Sequence, residues 1–232
     1  KTLPLPGFRA VHINASVFRN AGTDIVTELA FAIAMGAEYL QRFAERGISP
    51  EVASRKIRFS FGTGSEYLPE IAKLRAARLL WSVVLDKFMP GINPEGIEIH
   101  CTTLRVNKSA NNPYMNILRT QTESMSAILG GADSLTTGPY DQIFRQPDEF
   151  SERIARNQQL ILKEEAWFGK VADPAGGAYY IEKLTYLIAD SAWKLFLEVE
   201  NNGGFVESLL NGFIRKKISE AAGKINIESK DQ

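Results

Sequence analysis

The sequence predicts an α/β protein with parallel strands, on three observations. Short stretches with a two-residue apolar period recur four times, each is followed by a longer stretch of helical period, and the helices stop at glycine or proline. A helix between two strands returns the chain to the same edge of the sheet, so the strands it joins run the same way.

Residues 9–16 (RAVHINAS) alternate and predict the first strand. Thr23 is the expected cap of the helical run DIVTELAFAIAMGAEYLQRFAER, which stops at Gly47 with Pro50 behind it. KIRFSFG at 56–62 is the second strand, followed by a helix from about Glu66 to Phe88 before Pro90 and Gly91. IEIHCTT at 97–103 is the third, and its helix runs from about Pro113, suited to a first turn, to Leu129 before Gly130 and Gly131. The fourth strand, DSLTT at 133–137, is short, and Asp148 is the expected cap of the helix after it, DEFSERIARNQQLILKEEAWF. DPAGGAYY at 173–180 reads as a loop, with helices expected at about 182–200, 204–211 and 213–223 and a frayed polar tail ESKDQ.

Four such units make half of a TIM (β/α)8 barrel. A doubly wound open sheet is the competing arrangement, but no glycine-rich phosphate loop follows any strand. The expected organisation is therefore strand-helix units of a barrel over 1–170 and a C-terminal helical extension or linker over 171–232. The chain begins at Lys1 without an initiator methionine, in a stretch with Pro4 and Pro6 that reads as a loop entered from upstream, which suggests a fragment or a trimmed chain.

With 232 residues, 44% of them hydrophobic, the chain can bury a sizeable core. Its 27 basic and 27 acidic residues cancel, so charge favours neither nucleic acid nor an anionic membrane. The lone Cys101 cannot form an internal disulfide and suits a reducing compartment. Apolar stretches are short and interrupted by charge, so no secretory or membrane-spanning segment is expected.

The strand faces carry the most information. Val11, Ile13 and Ala15, then Ile57, Phe59 and Phe61, then Ile97, Ile99 and Cys101, then Leu135 take the side that faces helices. The lumen side receives Ala10, His12, Asn14 and Ser16, then Lys56, Arg58, Ser60 and Gly62, then Glu98, His100 and Thr102, then Ser134, Thr136 and Gly138. Barrels ordinarily fill the lumen with branched apolar side chains, so a polar, mostly small set calls for a lumen that admits solvent or a polar ligand chain. Residue by residue the alternative stays open: Arg58 and Glu98 can pair across adjacent strands, and the hydroxyls can bond one another.

Little here supports covalent or metal chemistry. Two histidines make no HExxH or Cys/His array, no serine stands in a GxSxG elbow, and Cys101 points at the helices. His100, late in its strand on the lumen side, is the best candidate for contact with a ligand, the alternative being a hydrogen-bonded packing histidine; His12 lies nearer the end associated with stability. The stretch Phe61-Gly62-Thr63-Gly64-Ser65 could offer backbone N–H groups to a phosphate or could be a tight βα turn. Tyr179 and Tyr180 read as packing aromatics, and the charged residues around Arg153 and Lys163 as a solvated helix face.

Longer segments are specific. AKLRAARLLW (72–81), LRTQTESMSAILGGADSL (118–135), DEFSERIARNQQLILKEE (148–165), DPAGGAYYIEKLT (173–185) and AWKLFLEVENNGGF (192–205) resemble the barrel of the methylmalonyl-CoA mutase family, in register from about Phe8 to Ala222. The resemblance implies the later half of that barrel, a lumen threaded by the pantetheine arm of an acyl-CoA, and rearrangement of methylmalonyl-CoA to succinyl-CoA by radicals from adenosylcobalamin, whose binding domain is separate. Lys56, His100, Thr102, Ser60 and Asn14 are the substrate-contact candidates it implies.

Departures from the family pattern are concentrated where chemistry is expected. NASVFRNAG stands where catalytic members have a motif like SGYHMQEAG, which puts Ser16 and Val17 at the tyrosine and histidine. Lys56 replaces an arginine. In HCTTLRV, against HSQTSGW, His100 is kept, Thr102 replaces glutamine and Arg105 stands for glycine; Gly138 and Gln142 fall where an asparagine and a glutamate hold the adenosyl ribose. This pattern resembles the small subunit of bacterial heterodimeric mutases. It implies a cytoplasmic chain with a degenerate site, a homologous large catalytic partner, and adenosylcobalamin held by that partner. A divergent active acyl-CoA mutase and an unrelated TIM-barrel lyase or aldolase are the alternatives.

Overall fold

A computed structural model describes residues 7–91 and 96–228. Pro4, Pro6 and the tail beyond Glu228 lie outside the described residues. Four strands, β1 (Val11–Asn14), β2 (Ile57–Thr63), β3 (Glu98–Thr103) and β4 (Ser134–Thr136), form one parallel sheet in the order β1-β2-β3-β4. The helices are α1 (Ser16–Asn20), α2 (Ile25–Glu45), α3 (Pro50–Ser54), α4 (Tyr67–Phe88), α5 (Met115–Leu129), α6 (Glu149–Glu164), α7 (Tyr179–Asn201), α8 (Gly204–Leu210) and α9 (Phe213–Glu228). The strand order follows the sequence without the reversal that marks the switch point of a doubly wound sheet.

The alternation expected of the strands is present in β1 and β3, whereas β2 is buried on both faces from Phe59 to Thr63, Ser60 being only 3% exposed. Ile13, Phe59, Phe61, Ile99 and Cys101 have no solvent exposure and join the core formed with α2 and α4, whereas His12, Asn14 and Thr136, on the other face, are exposed. Burial of each phenylalanine is worth about 2–3 kcal/mol, so one dry face holds the sheet to its helices while the other is left for water or ligand. The C-terminal helices return over the same helices: α7 packs on α4 and α2, and Phe205 of α8 meets Phe31 edge-on at 6.2 Å between ring centroids. Arg75 of α4 fixes this return by donating to Asp173 and to Glu182 Oε1, the latter at 2.6 Å.

Several boundaries differ from expectation for local reasons. Asp24, not Thr23, caps α2: its carboxylate accepts from the Thr27 N–H at 2.7 Å, and its ψ of 173° places the acceptor below the first turn. The first strand ends at Asn14, because the chain turns at Ala15 into α1; Ser16 therefore opens a helix and is not a lumen residue of the strand. Helix α5 begins at Met115, with Pro113 in the preceding turn, where its carbonyl accepts from Asn116 N–H at 3.0 Å. Asp148 caps α6 as expected, in a capping box with Ser151. Helix α7 begins at Tyr179, inside the expected loop, and Tyr179 is 86% exposed, so it is not a packing aromatic of this chain; Tyr180 is exposed too. The set around Arg153 and Lys163 is solvated, with Lys163 paired to Glu164.

Gly36 is where α2 crosses both the sheet and α4. A Cβ there would stand 2.5 Å from Trp81 Cζ3 and 2.8 Å from Phe59 Cζ, two rings already packed edge-to-face at 4.8 Å. Helix propensity favours alanine over glycine by about 1 kcal/mol, but overpacking costs about 1–3 kcal/mol. Gly36→Ala should therefore lower stability by about 1–2 kcal/mol in urea unfolding. An unchanged or raised midpoint would show that α2 can lift away from the rings.

Candidate functional site

The open face of the sheet is built in layers set by strand register. Moving toward the strand C-termini, His12, Arg58 and Glu98 share the first layer, Asn14, Ser60, His100 and Ser134 the second, and Gly62, Thr102 and Thr136 the third. Four of the expected substrate-contact residues, Asn14, Ser60, His100 and Thr102, are thus brought together in two adjacent layers. Lys56 is not among them. It precedes β2 by one residue, about 13 Å along the strand from Ser60, and its buried ammonium donates to the Phe8 carbonyl at 3.2 Å.

Electrostatics divide the two ends of this face. At the N-terminal end Glu98 accepts from Arg58 Nε at 2.5 Å and also from Arg9, so Arg58 and Glu98 pair across adjacent strands. Burial acts to raise the Glu98 carboxyl, but hydrogen bonds from the two arginines outweigh it and hold the group below its ordinary range. In the middle layer, His100 Nδ1 lies 2.8 Å from Ser134 Oγ and Nε2 lies 3.2 Å from Thr136 Oγ1. A neutral imidazole has one donor and one acceptor nitrogen, and a hydroxyl can meet either. Burial, then the charges of Arg58 and His12, push His100 below the ordinary histidine value.

A second constellation lies behind the strand ends, within the core. Lys73 of α4 has no solvent exposure; it donates to Glu28 Oε2 of α2 at 2.7 Å, pairs with Glu70 Oε2 at 2.5 Å and donates to the Gly62 carbonyl. The other oxygens of the same carboxylates accept from backbone: Glu28 Oε1 from Gly62 N–H at 2.7 Å and Glu70 Oε1 from Gly64 N–H at 3.0 Å. Arg19 of α1 completes the set by donating to Glu70 at 3.0 Å and to the Thr23 carbonyl at 2.7 Å. Burial alone would lower the Lys73 ammonium, but Glu28 and Glu70 raise it above its usual value, so it is charged. These N–H groups are therefore already occupied by internal carboxylates, and the stretch 61–65, in which β2 continues through Thr63, is neither a phosphate cradle nor the alternative tight turn.

Sequence reasoning missed this network. Its one signal was the position of Glu28, Glu70 and Lys73 on the apolar stripes of their helices, beside Leu29 and Ala32 and beside Leu74 and Ala77. A cavity of about 610 Å³ opens above it at the C-terminal ends of the strands, lined among others by Arg19, Thr23, Gly64, Glu66 and Leu104.

The positions expected to depart from the catalytic pattern are placed as follows. Ser16 Oγ turns back to donate to Asn14 Oδ1 at 2.6 Å, and Val17 is half exposed and apolar. Gly138 and Gln142 lie in the loop after β4, against one another. Burial pushes the Cys101 thiol far up, so it is inert as a nucleophile. Among the described residues no group of three His, Cys, Asp or Glu side chains is placed to hold a metal ion, and no helix is long and apolar enough to cross a membrane. What the arrangement can do is offer hydrogen bonds from a rigid polar face.

Comparison with known proteins gives a consistent result. The model of the family described as methylmalonyl-CoA mutase matches residues 2–232. A methylmalonyl-CoA mutase small subunit from Porphyromonas gingivalis is 48% identical over 217 residues, covering 93% of this chain and 35% of that protein. The small subunit from Propionibacterium freudenreichii subsp. shermanii is 40% identical over 212 residues, covering 91% of this chain and 33% of that protein. A methylmalonyl-CoA mutase from Cereibacter sphaeroides is 40% identical over 222 residues, covering 95% and 31%. The chain thus spans about a third of the length of the curated relatives it matches.

Two outcomes follow from the electrostatics. Lys73→Met leaves two buried carboxylates with only Arg19 to balance them and should cost about 3–5 kcal/mol in denaturant unfolding, much of it recovered when Glu28→Gln and Glu70→Gln are added. A loss under 1 kcal/mol would mean that the network does not hold α2 to α4. His100 should titrate below the ordinary 6.5 by NMR. Because the folded state disfavours its protonated ring, acidification below that value costs stability; a midpoint above 6.5 would contradict the layer described.

Proposed function

The chain belongs to the methylmalonyl-CoA mutase family, and from that membership we propose that it is part of the small, non-catalytic subunit of an adenosylcobalamin-dependent methylmalonyl-CoA mutase. In this reading residues 1–170 supply four strand-helix units of the acyl-CoA mutase barrel, the later half, and 171–232 form its helical extension. The unreversed strand order and the polar open face support it. Membership of the family removes the unrelated lyase or aldolase.

The observation that carries the non-catalytic reading is the state of the replaced positions, because identity alone does not decide it: proteins named small subunit are 48% and 40% identical, and one named methylmalonyl-CoA mutase is 40% identical. Ser16 bonds to its own strand end, Val17 has no hydrogen-bonding group, and Gln142 fills the space beside Gly138. Adenosylcobalamin supplies the radical chemistry of the proposed enzyme, but the residues of this chain do not fit it: where an asparagine and a glutamate would meet the adenosyl ribose, one position has no side chain and the other is folded over it. The cofactor is assigned instead to the homologous large subunit, with which this chain pairs in the bacterial cytoplasm, and the rearrangement of methylmalonyl-CoA to succinyl-CoA takes place there.

The polar layers retain the chemistry to line an acyl-CoA arm, with Asn14, Ser60, His100 and Thr102 along one stretch of the lumen and Lys56 toward its N-terminal end. The full-length protein should show no tight binding when titrated with adenosylcobalamin and followed by absorbance. It should be inactive alone, co-purify with a longer homologous chain and be part of the active complex. Tight cobalamin binding, or turnover without the partner, would instead make it a divergent active mutase.

A further inference from the structure

The loop between β4 and α6 is anchored at four residues within a span of six. Thr137 Oγ1 lies 2.9 Å from Ser124 Oγ, and Gly138 N–H donates to Thr103 Oγ1 at 2.9 Å. The Tyr140 carbonyl accepts from Asn116 Nδ2 at 2.9 Å, and the Gln142 carbonyl accepts from Arg105 Nη2 at 2.8 Å. Ser124, Thr103 and Asn116 are themselves buried, so the backbone of this loop has little freedom.

Over that fixed backbone the Gln142 side chain folds onto Gly138. A Cβ at Gly138 would overlap Gln142 Nε2 and stand 2.8 Å from its Cδ and 2.9 Å from its Oε1. The amide nitrogen is buried there and makes no hydrogen bond. A primary amide free to move would turn to water, so packing, not bonding, keeps it in place. Arg105 also donates its backbone N–H to Asn20 Oδ1 at 3.0 Å, which ties the loops after β1, β3 and β4 together.

We propose that Gly138, Gln142 and Arg105 form a plug at the C-terminal ends of β3 and β4 that excludes a nucleoside from this chain. Gln142 touches both of the others, its carbonyl meeting Arg105 and its side chain lying on Gly138, so the site is filled from within as well as stripped of its ligating groups. An asparagine at 138 is then opposed by Gln142, because its first side-chain atom falls on the amide. This rests on the functional reading above only in naming a nucleoside as what is excluded; the plug itself is a matter of packing.

The test is a double-mutant cycle in the full-length protein, read by thermal unfolding, with Gly138→Asn, Gln142→Ala and the pair. Gly138→Asn should lower Tm by roughly 4–8 °C when Gln142 is present and by less than about 2 °C in the Gln142→Ala background. If Gly138→Asn does not fold, Gly138→Ala, which adds Cβ alone, gives the same comparison on a smaller scale. An additive cycle overturns the plug. Adenosylcobalamin titration of the unmutated protein is the separate arm: tight binding there overturns the functional reading and the exclusion with it, whereas a coupled cycle would still establish the packing.

Discussion

Lys73 lies at the centre of the sheet's C-terminal rim, without access to solvent, and three elements meet on its ammonium. Glu28 brings α2 to it, Glu70 comes from its own helix, and the Gly62 carbonyl comes from the last turn of β2. Arg19 adds α1, so two cations balance two carboxylates. Buried ion sets of this kind contribute less to stability than their Coulomb energy suggests, because each charge gives up its hydration. Their effect is geometric: each charge has an opposite charge beside it, and sliding α2 or α4 by a turn would leave a charge unpaired in the core. The end of β2 is therefore fixed, and with it the register from which the polar layers are measured.

That register explains how the polar groups of the sheet face are paired with one another. The first layer neutralises itself, Glu98 lying between Arg58 and Arg9. In the second, His100 has a hydroxyl on each ring nitrogen, so as a neutral ring it is already satisfied. A general base needs a lone pair directed at a substrate, and a nucleophile needs a lowered pKa; neither histidine nor cysteine here meets that requirement. Binding is a lesser demand. Asn14 and Thr136 remain exposed, and a ligand chain could exchange hydrogen bonds with them without disturbing the core face.

The sheet was legible in the sequence because its two faces differ chemically at a period of two: RAVHINAS, KIRFSFG and IEIHCTT each separate large apolar residues from small or charged ones. Helix ends were legible where a cap stands alone, as at Asp148, and off by one where Thr23 and Asp24 compete. The turn into α1 was not legible, since Ala15 and Val17 continue the alternation; what stops the strand is the tertiary docking of Arg19 onto Glu70, 51 residues away. The ion network was hidden for the same reason, since Glu28 and Arg19 are distant in sequence from the Glu70–Lys73 pair they complete. Within the site, Asn14, Ser60, His100 and Thr102 could be grouped from alternation alone. Whether their polar atoms face a ligand or one another depends on strand register, which the sequence does not contain.

Under the proposed function, the replaced positions also bear on how a catalytic site is dismantled. Removing a ligating side chain from a buried mouth leaves polar partners without bonds, at about 1–3 kcal/mol for each. Independent erosion would leave such orphans at the replaced positions themselves. Instead Ser16 answers Asn14, the Arg105 backbone answers Asn20, and the Arg105 guanidinium answers the Gln142 carbonyl, so three replaced positions are bonded to neighbours in the same mouth. Among the replaced positions the Gln142 amide nitrogen is the exception, enclosed beside Gly138 without a partner, while Arg19 Nε, Thr23 Oγ1, Glu70 Oε2 and Asp141 Oδ1, at other positions, also lack a hydrogen-bond partner. The Gln142 orphan sits where packing against Gly138 and a closely anchored loop hold it, so at this replaced position packing is set against complete hydrogen bonding.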